Sequence, residues 1–349
     1  MEDNYQIMHE QYHAEKVFDT MNVDFRLTHT EFDGHLIYLL KQIEIGNNHY
    51  QSQLLSNLQE KLRPIVQGLE VSHPYTEDHS SWSVFYAFKE IIDQVSDQLK
   101  AEYRTVYRGQ PGDWELRPTL FRTGAAGYTD DFRQNYEQIY RSVAQKFPEN
   151  VQYYTTQDLD KRAVNLAELQ HYGLGTPLVD VSANPFISLL FMVDGYTDQG
   201  QEPQLDIFFV RKDGKNSLYQ EVVKQEQNRR ISAQQGAFLN FDKLNGDLLT
   251  GKHKIPRVCL RLQYIKNALN PDTIENLPDG GLPVSPDEKK IRARVLATAV
   301  NDIKSKLTSY YYRIEDLFPD FYMYLGVLKA RYADTHQYEV KKWYQVSEH

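Results

Sequence analysis

The sequence predicts an α+β fold, in which a central mixed β-sheet is flanked by helices and preceded by a helical extension. Helices are expected where apolar residues recur at helical spacing, most clearly at residues 81–103 and 130–147. The segment 205–210 is apolar almost throughout, as expected for a strand of a sheet that is covered on both faces. Other short apolar segments bounded by turn residues predict further strands, at residues 105–108, 178–181 and 253–265.

The first part of the chain is predicted to be helical. Residues 35–66 show helical spacing, with one face formed by Leu36, Leu39, Leu40 and Ile43. This extension is expected either to pack on the rest of the protein or to bind a protein partner, and the pattern leaves both open. The predicted boundaries are an N-terminal helical extension at residues 1–100, a main domain at 101–332 and a polar tail at 333–349.

Charge and cysteine content limit the classes of function. A net charge of −9 argues against non-specific binding to duplex DNA or to an anionic membrane. The single cysteine, Cys259, lies in an apolar segment and is expected to be a buried small hydrophobe in a reducing compartment. No apolar run is long enough to span a bilayer, and the N-terminus lacks a basic-then-apolar signal pattern. A cytoplasmic location is therefore expected.

Residues 169–186 hold the most informative local pattern. A helix is expected to end at Gly173, because glycine readily takes the left-handed conformation that follows a last helical turn. Residues 178–181 then predict a short buried strand that ends at Ser182. Asn184, followed by proline, predicts a new helix, because Asn caps helices and proline fits their first position. Polar groups beside a helix N-terminus suit an anionic ligand.

Several separate segments together resemble a known family. Tyr107-Arg108-Gly109-Gln110 is followed by a Trp-x-Leu-x-Pro segment that begins at Trp114 and ends at Arg122. Gln170-His171-Tyr172-Gly173 and the predicted strand come next, and Leu317-Phe318-Pro319-Asp320 closes the series. This order resembles the FRG domain, a family named for an aromatic-Arg-Gly signature. The resemblance covers roughly residues 101–328, and at Pro177 the family usually carries an arginine.

The sequence shows neither a phosphate-cradling glycine loop nor a nucleophile elbow, so P-loop, dinucleotide-fold and hydrolase functions are weakly supported. What remains is weakly similar to ADP-ribosyltransferases of the arginine–serine–glutamate class. That resemblance implies that Arg108 binds the pyrophosphate of NAD and that Ser182 orients the site. The Gln234-Gln235 pair, with Gln235 as the candidate catalytic residue, stands where the class has its glutamate. Glu168 is an alternative source of that carboxylate.

Further residues are expected around such a ligand because they belong to the same segments: Tyr107, Gly109, Gln110, Gln170, His171, Tyr172, Asp180 and Gln234. Structural interpretations compete with this one. Arg108 could instead pair with Asp180, and Ser182 could be a turn and cap residue. Trp114 and Phe121 are expected in the core, Tyr172 is either core or a stacking platform, and Arg122 is either a phosphate contact or a surface charge.

The resemblances imply a nucleotide-binding, ADP-ribosyltransferase-like protein, with NAD as a candidate substrate. Transferase or glycohydrolase activity on NAD, in a bacterial toxin or antiphage effector, is the favoured expectation. The alternative is a non-catalytic module that senses a ligand or binds a protein. Partners are expected to be a nucleotide-like small molecule and a protein acceptor, with no membrane and no metal, and nucleic acid is disfavoured by charge.

Overall fold

The computed structural model describes residues 5–32, 35–46, 49–72, 83–97, 102–124, 127–197, 201–221, 233–266, 286–317 and 325. The helices within these ranges are α1 (Tyr5–Gln11), α2 (Ala14–Val17), α3 (Gln53–Ser72), α4 (Val84–Asp97), α5 (Asp130–Gln134), α6 (Tyr136–Lys146), α7 (Leu159–His171), α8 (Pro185–Asp194), α9 (Gly246–Leu249) and α10 (Pro286–Ser309). Short 3-10 turns lie at Thr119–Phe121, Phe241–Lys243 and Ile314–Leu317.

The described strands form one mixed sheet, which confirms the predicted α+β class. The strands are β1 (Phe18–Phe32), β2 (His35–Ile45), β3 (Tyr103–Gln110), β4 (Leu178–Ser182), β5 (Gln204–Arg211), β6 (Tyr219–Gln220), β7 (Gly236–Asn240) and β8 (Ile255–Tyr264). Their order across the sheet is β2-β1-β8-β5-β3-β4-β7-β6. β1 runs parallel to β8, whereas β3 is antiparallel to both of its neighbours, β5 and β4. This order places β3, which carries Arg108, inside the sheet.

Helices cover both faces of the sheet. One hydrophobic cluster packs α3, α4, α8 and α10 against the first face. A second cluster packs α1, α2, α6, α7 and α9 against the other face. Neighbouring residues of β3 divide between the two, since Val106 belongs to the second cluster and Tyr107 to the first. The predicted helices α3 and α4 therefore pack on the sheet. None of the helices in the described ranges is long and apolar enough to cross a membrane.

The helix predicted at residues 35–45 is wrong, because this segment forms strand β2. β2 pairs with β1 across a β-bulge, where Leu27 faces Leu40 while Arg26 faces Gln42. The extra residue shifts the side-chain alternation, so Leu40 and Ile43 both lie opposite residues on the core face of β1. Apolar residues at positions 36, 40 and 43 therefore share a strand face at a spacing that a helix would also produce.

Two buried arginines hold the N-terminal helix α1 against the domain. Arg133 donates from Nε to Gln6 Oε1 at 2.8 Å. Arg162, which is fully buried, donates from Nε to Asp242 Oδ2 at 2.8 Å and from Nη2 to the Tyr5 hydroxyl at 2.7 Å. Its Nη2 also pairs with the Glu137 carboxylate. The network joins segments that are far apart in sequence.

Cys259 is predicted to be unreactive in the folded protein. It lies on β8 with 3% of its surface exposed, and burial raises the pKa of its thiol well above the ordinary value. Since the thiolate is the reactive species, a disulfide reagent should modify the native protein at least about 100-fold more slowly than a free thiol. Full labelling is expected in denaturant, and rapid labelling of the native protein would contradict this burial.

Candidate functional site

A cavity of about 370 Å³ opens beside the contact between β3 and β4. The register of these two strands among the described residues consists of Tyr107 opposite Ser182. The cavity is bounded by β3, β4, one side of α8 that includes Ser188, Phe191 and Asp194, and the segment before β7. We name it the β3–β4 cavity; its polar and charged lining residues include Arg108, Asp180, Ser182, Ser188, Asp194 and Gln234.

Arg108 is the partly exposed cation of this cavity. Its Nη1 donates to the backbone carbonyl oxygen of Asp180 at 2.7 Å, and its Nε donates to Gln110 Oε1 at 3.3 Å. Its Nη2 has no hydrogen-bond partner among the described residues. Burial lowers the pKa of the guanidinium, and the charge of Asp180 offsets part of that shift. The expected pairing with Asp180 is thus made to its main chain rather than to its carboxylate.

Gly109 lets helix α8 approach β3 closely. A Cβ atom at this position would lie 1.8 Å from the backbone oxygen of Ser188 and 2.7 Å from the backbone nitrogen of Met192. Both atoms belong to α8, so no side-chain rotation could relieve the overlap. The glycine of the aromatic-Arg-Gly segment therefore has a packing role that positions α8 along the cavity.

Asp180 presents an oriented carboxylate at the exposed end of the site. Gln170 Nε2 donates to Asp180 Oδ2 at 2.8 Å. The amide oxygen of Gln170 in turn accepts a hydrogen bond from the Thr176 hydroxyl. Helix α7, which supplies Gln170, ends as predicted, because Gly173 adopts the left-handed conformation at φ +88°. The helix end thereby fixes the side chain that holds Asp180.

The hydroxyl of Ser182 is engaged in both hydrogen-bonding senses. It donates to the backbone oxygen of Gln234 at 2.7 Å and accepts from the backbone nitrogen of Asn184 at 3.0 Å. Asn184 itself caps α8 as predicted, accepting from the backbone nitrogen of Phe186 at 2.9 Å. These contacts are those of a turn residue that joins β4 to α8.

The two adjacent glutamines occupy different environments. Gln234 is buried, lines the β3–β4 cavity and donates from Nε2 to the backbone oxygen of Leu317 at 3.2 Å. Gln235 is exposed, has a positive φ of 46° and lies outside the cavity lining. Its backbone oxygen accepts a hydrogen bond from Ala183 at 3.0 Å. Of this pair, Gln234 lines the cavity together with Arg108 and Ser182, whereas Gln235 is not among the lining residues.

Other residues predicted for the site lie around the cavity rather than in it. Tyr172 is 72% exposed, so it is not a core residue. Its ring lies edge-on to the His171 ring, with 5.1 Å between the ring centres. His171 Nδ1 is buried and has no hydrogen-bond partner among the described residues. Glu168 is not part of the cavity lining. Arg122 is exposed, and its charge contributes to the lowered pKa of Arg108.

The two aromatic residues predicted for the core differ. Phe121 is fully buried, as predicted. Trp114 is 52% exposed, so its core prediction is wrong. Its ring packs near Gly112, and its backbone oxygen accepts hydrogen bonds from Gln110 and Gln204. The backbone of Trp114 is therefore anchored while its indole remains accessible.

Sequence reasoning missed the contribution of α8. Ser188, Phe191 and Asp194 line the cavity, although the apolar pattern of this helix indicates only a buried element. Asp194 accepts a hydrogen bond from Lys304 Nζ at 2.7 Å. The position of Asp194 at the end of α8, beside the cavity-lining Gly195, is the local signal that could have identified it.

The segment from His9 to His13 has the spacing of a zinc-binding His-Glu-x-x-His motif, which requires both imidazoles on one helix face. Here α1 ends at Gln11, and His13 has an extended backbone with φ −134° and ψ 125°. The two histidines therefore do not share a helix. Across the described ranges, the structure contains no group of three or more His, Cys, Asp or Glu side chains that could hold a metal ion.

Residues 318–320 of the closing segment and the whole predicted tail at 333–349 lie outside the described residues.

Comparison with protein-family models agrees with the resemblance over the segments that lie between residues 107 and 186. No curated protein and no solved structure matches the chain. A family model described as FRG domain matches residues 103–201, a range that runs from β3 to the segment after α8. Arg108, Gly109, Asp180, Ser182 and Asp194 all fall within that match, and the chain therefore contains an FRG domain.

Proposed function

We propose that the β3–β4 cavity binds NAD or another nucleotide that contains ADP-ribose, with Arg108 as the phosphate contact. The observation that carries this proposal is that Arg108 lines a cavity of about 370 Å³ and that its Nη2 has no hydrogen-bond partner among the described residues. A guanidinium held through its other nitrogens is well suited to phosphate, because its donors are rigid and planar. The volume falls in the lower part of the range for small-molecule sites, about 300–1,000 Å³.

The proposed reaction is cleavage of the bond between nicotinamide and ribose. Nicotinamide leaves with the bonding electrons, and the ribose carbon develops positive charge until water or an acceptor nucleophile attacks it. A carboxylate near that carbon lowers the barrier by opposing the developing charge. Asp180 fits this role better than Gln235, because Asp180 carries a charge, lines the cavity and is oriented by Gln170. Ser182 and Gln234 line the same cavity.

The test combines NAD binding with nicotinamide release. Arg108→Ala is expected to weaken NAD binding at least about tenfold, because a charge-assisted hydrogen bond contributes about 1.5–3 kcal/mol. Asp180→Asn should retain binding and lose release. Binding is measured by calorimetry and release by chromatography.

Arg104→Ala is the matched control, because Arg104 lies on the same strand, is exposed and contacts Tyr219 and Glu221 away from the cavity. It should leave both readouts unchanged. The proposal is contradicted if Arg108→Ala binds NAD as tightly as the unmodified protein. It is also contradicted if the unmodified protein does not bind NAD.

A second function, ligand sensing without turnover, is favoured by the hydrogen bonds that the polar groups already make. The hydroxyl of Ser182 is engaged by two backbone groups, and the amide of Gln234 is committed to Leu317. If the protein senses a ligand without turnover, we expect NAD binding that depends on Arg108 and no release of nicotinamide. Release would instead support a role as a bacterial toxin or antiphage effector that consumes NAD in the cytoplasm.

A further inference from the structure

A second and larger cavity, of about 640 Å³, lies on the sheet around β1 and β8. Its lining includes Trp114, Gln204, Lys254 and Arg257, and none of its lining residues belongs to the β3–β4 cavity. We name it the β1–β8 cavity. Its volume lies well inside the range of small-molecule sites.

Arg257 lines this cavity and has guanidinium N–H groups that make no hydrogen bond with the described residues. Its Nε donates to the Thr20 hydroxyl at 3.0 Å, and its guanidinium lies 5.3 Å from the centre of the Phe18 ring. Its Nη1 is 3.7 Å from Asp206 Oδ1, which is an ion pair but too long for a hydrogen bond. Its Nη2 has no hydrogen-bond partner among the described residues. The fully buried Asp206 thus supports the cation without using its donors.

Lys254 supplies a second cation to the cavity. It is partly buried and makes neither an ion pair nor a side-chain hydrogen bond with any residue in the described ranges. The nearby acids are mostly engaged, since Asp19 accepts from the backbone nitrogen of Ser52 at 2.8 Å and Glu115 pairs with Arg117.

Two further carboxylates of the lining, Glu15 and Asp113, are exposed to solvent. Water and salt screen exposed charges strongly, which weakens the repulsion that these two groups exert on an anion. The cavity therefore offers a ligand the unused hydrogen-bond donors of Lys254 and Arg257.

Trp114 provides a flat aromatic surface beside these cations. Trp114 is 52% exposed, although its backbone oxygen accepts hydrogen bonds from Gln110 Nε2 at 3.0 Å and Gln204 Nε2 at 3.4 Å. A Cβ atom at Gly112 would come within 3.0 Å of the indole ring, so the ring rests closely on that glycine. A half-exposed ring with an anchored backbone is a good stacking platform for a planar ligand.

We propose that the β1–β8 cavity is a second ligand site that binds a mononucleotide-like anion, stacking its ring on Trp114 and its phosphate on Lys254 and Arg257. The family match covers Trp114 but not Lys254 or Arg257, which lie outside residues 103–201, and none of the three residues lines the β3–β4 cavity. The inference does not depend on NAD binding in the β3–β4 cavity.

The test is calorimetric titration of the 349-residue chain with AMP, GMP, CMP and UMP as probes, and with inorganic phosphate separately. At least one nucleotide should bind, and Trp114→Ala should weaken it at least about fivefold, because base–aromatic stacking contributes about 1–3 kcal/mol. Lys254→Ala should weaken it at least about tenfold, because a charge-assisted contact contributes about 1.5–3 kcal/mol. Lys252→Ala is the matched control, because Lys252 is an exposed lysine two positions away that pairs with Asp247.

Arg108→Ala distinguishes the two cavities and should leave mononucleotide affinity unchanged. Melting curves check that the variants fold. The inference is overturned if none of the four nucleotides binds at millimolar concentration. It is equally overturned if affinity survives both Trp114→Ala and Lys254→Ala, or if it is lost in Arg108→Ala, because the bound nucleotide would then occupy the β3–β4 cavity.

Discussion

Gly109→Ala is expected to destabilise the protein by about 3 kcal/mol or more, the cost of overpacking at a site that cannot relax. The added Cβ would lie 1.8 Å from the backbone oxygen of Ser188. The obstacle is the main chain of α8, so the whole helix must move away from β3. Movement of α8 would also displace Ser188 and Asp194 in the β3–β4 cavity. Chemical denaturation of both proteins measures the difference.

Gly68→Ala is the matched control for this prediction. Gly68 lies in α3, and a Cβ there would meet nothing within 4 Å. Alanine at an exposed helical position is expected to stabilise the protein by about 0.5–1 kcal/mol. The same substitution should therefore have opposite signs at the two glycines. A loss of less than about 1 kcal/mol at Gly109 would show that α8 yields to the added methyl group.

Arg162→Met is expected to destabilise the protein by about 3–5 kcal/mol, because it leaves buried acidic groups without their cation. Arg162 and Asp242 are both fully buried, and Glu137 is largely buried. Burial already raises the pKa of the Asp242 carboxyl although Arg162 opposes the shift. Loss of the cation also frees the hydroxyl of Tyr5 from one of its partners. Thermal and denaturant unfolding measure the loss.

The stability of Arg162→Met should depend on pH through the carboxyl group of Asp242. Without Arg162 the pKa of folded Asp242 rises further above its value in the unfolded chain. A raised carboxyl pKa means that the folded state holds its proton more tightly, so stability falls as pH rises from the unfolded value, about 4, toward the folded one. The deficit of Arg162→Met should therefore be larger at neutral pH than under mildly acidic conditions, and an equal deficit at both would contradict this origin.

Lys161→Met provides the comparison on the neighbouring residue of α7. Lys161 pairs with Asp158 at 2.9 Å, and both side chains are well exposed. Exposed pairs of this kind contribute little, because water screens them. Its melting temperature should remain close to that of the unmodified protein. Similar losses in the two variants would show that α7 responds to the new methionine rather than to the missing buried cation.

Local signals correctly predicted the elements that carry the β3–β4 cavity. The glycine after α7, the apolar strand β4 and the Asn-Pro start of α8 all lie where the pattern placed them. Each of these features is decided by neighbouring residues, through backbone conformation or a cap. Arg108 and Ser182 were identified from short sequence segments that resemble a family. Their roles in binding stay predictions.

Other features depended on segments that are distant in the chain. The bulge that turns residues 35–45 into strand β2 exists only because β1 lies alongside. The exposure of Trp114 depends on Gln204 and Gly112, which fix its backbone and support its ring. Sequence could not choose between Gln234 and Gln235, because a single positive φ turns one inward and the other to solvent.

By itself the sequence determined the end of α7, the strand β4 and the start of α8, because caps, glycine turns and apolar strands act over a few residues. Only the tertiary structure decided that Arg108, Asp180 and Gln234 meet at one cavity while Arg257 and Lys254 meet Trp114 at another. The physical reason is that cavities form where strands from distant parts of the chain pair and helices pack on them, and such contacts leave no periodic pattern in any single segment.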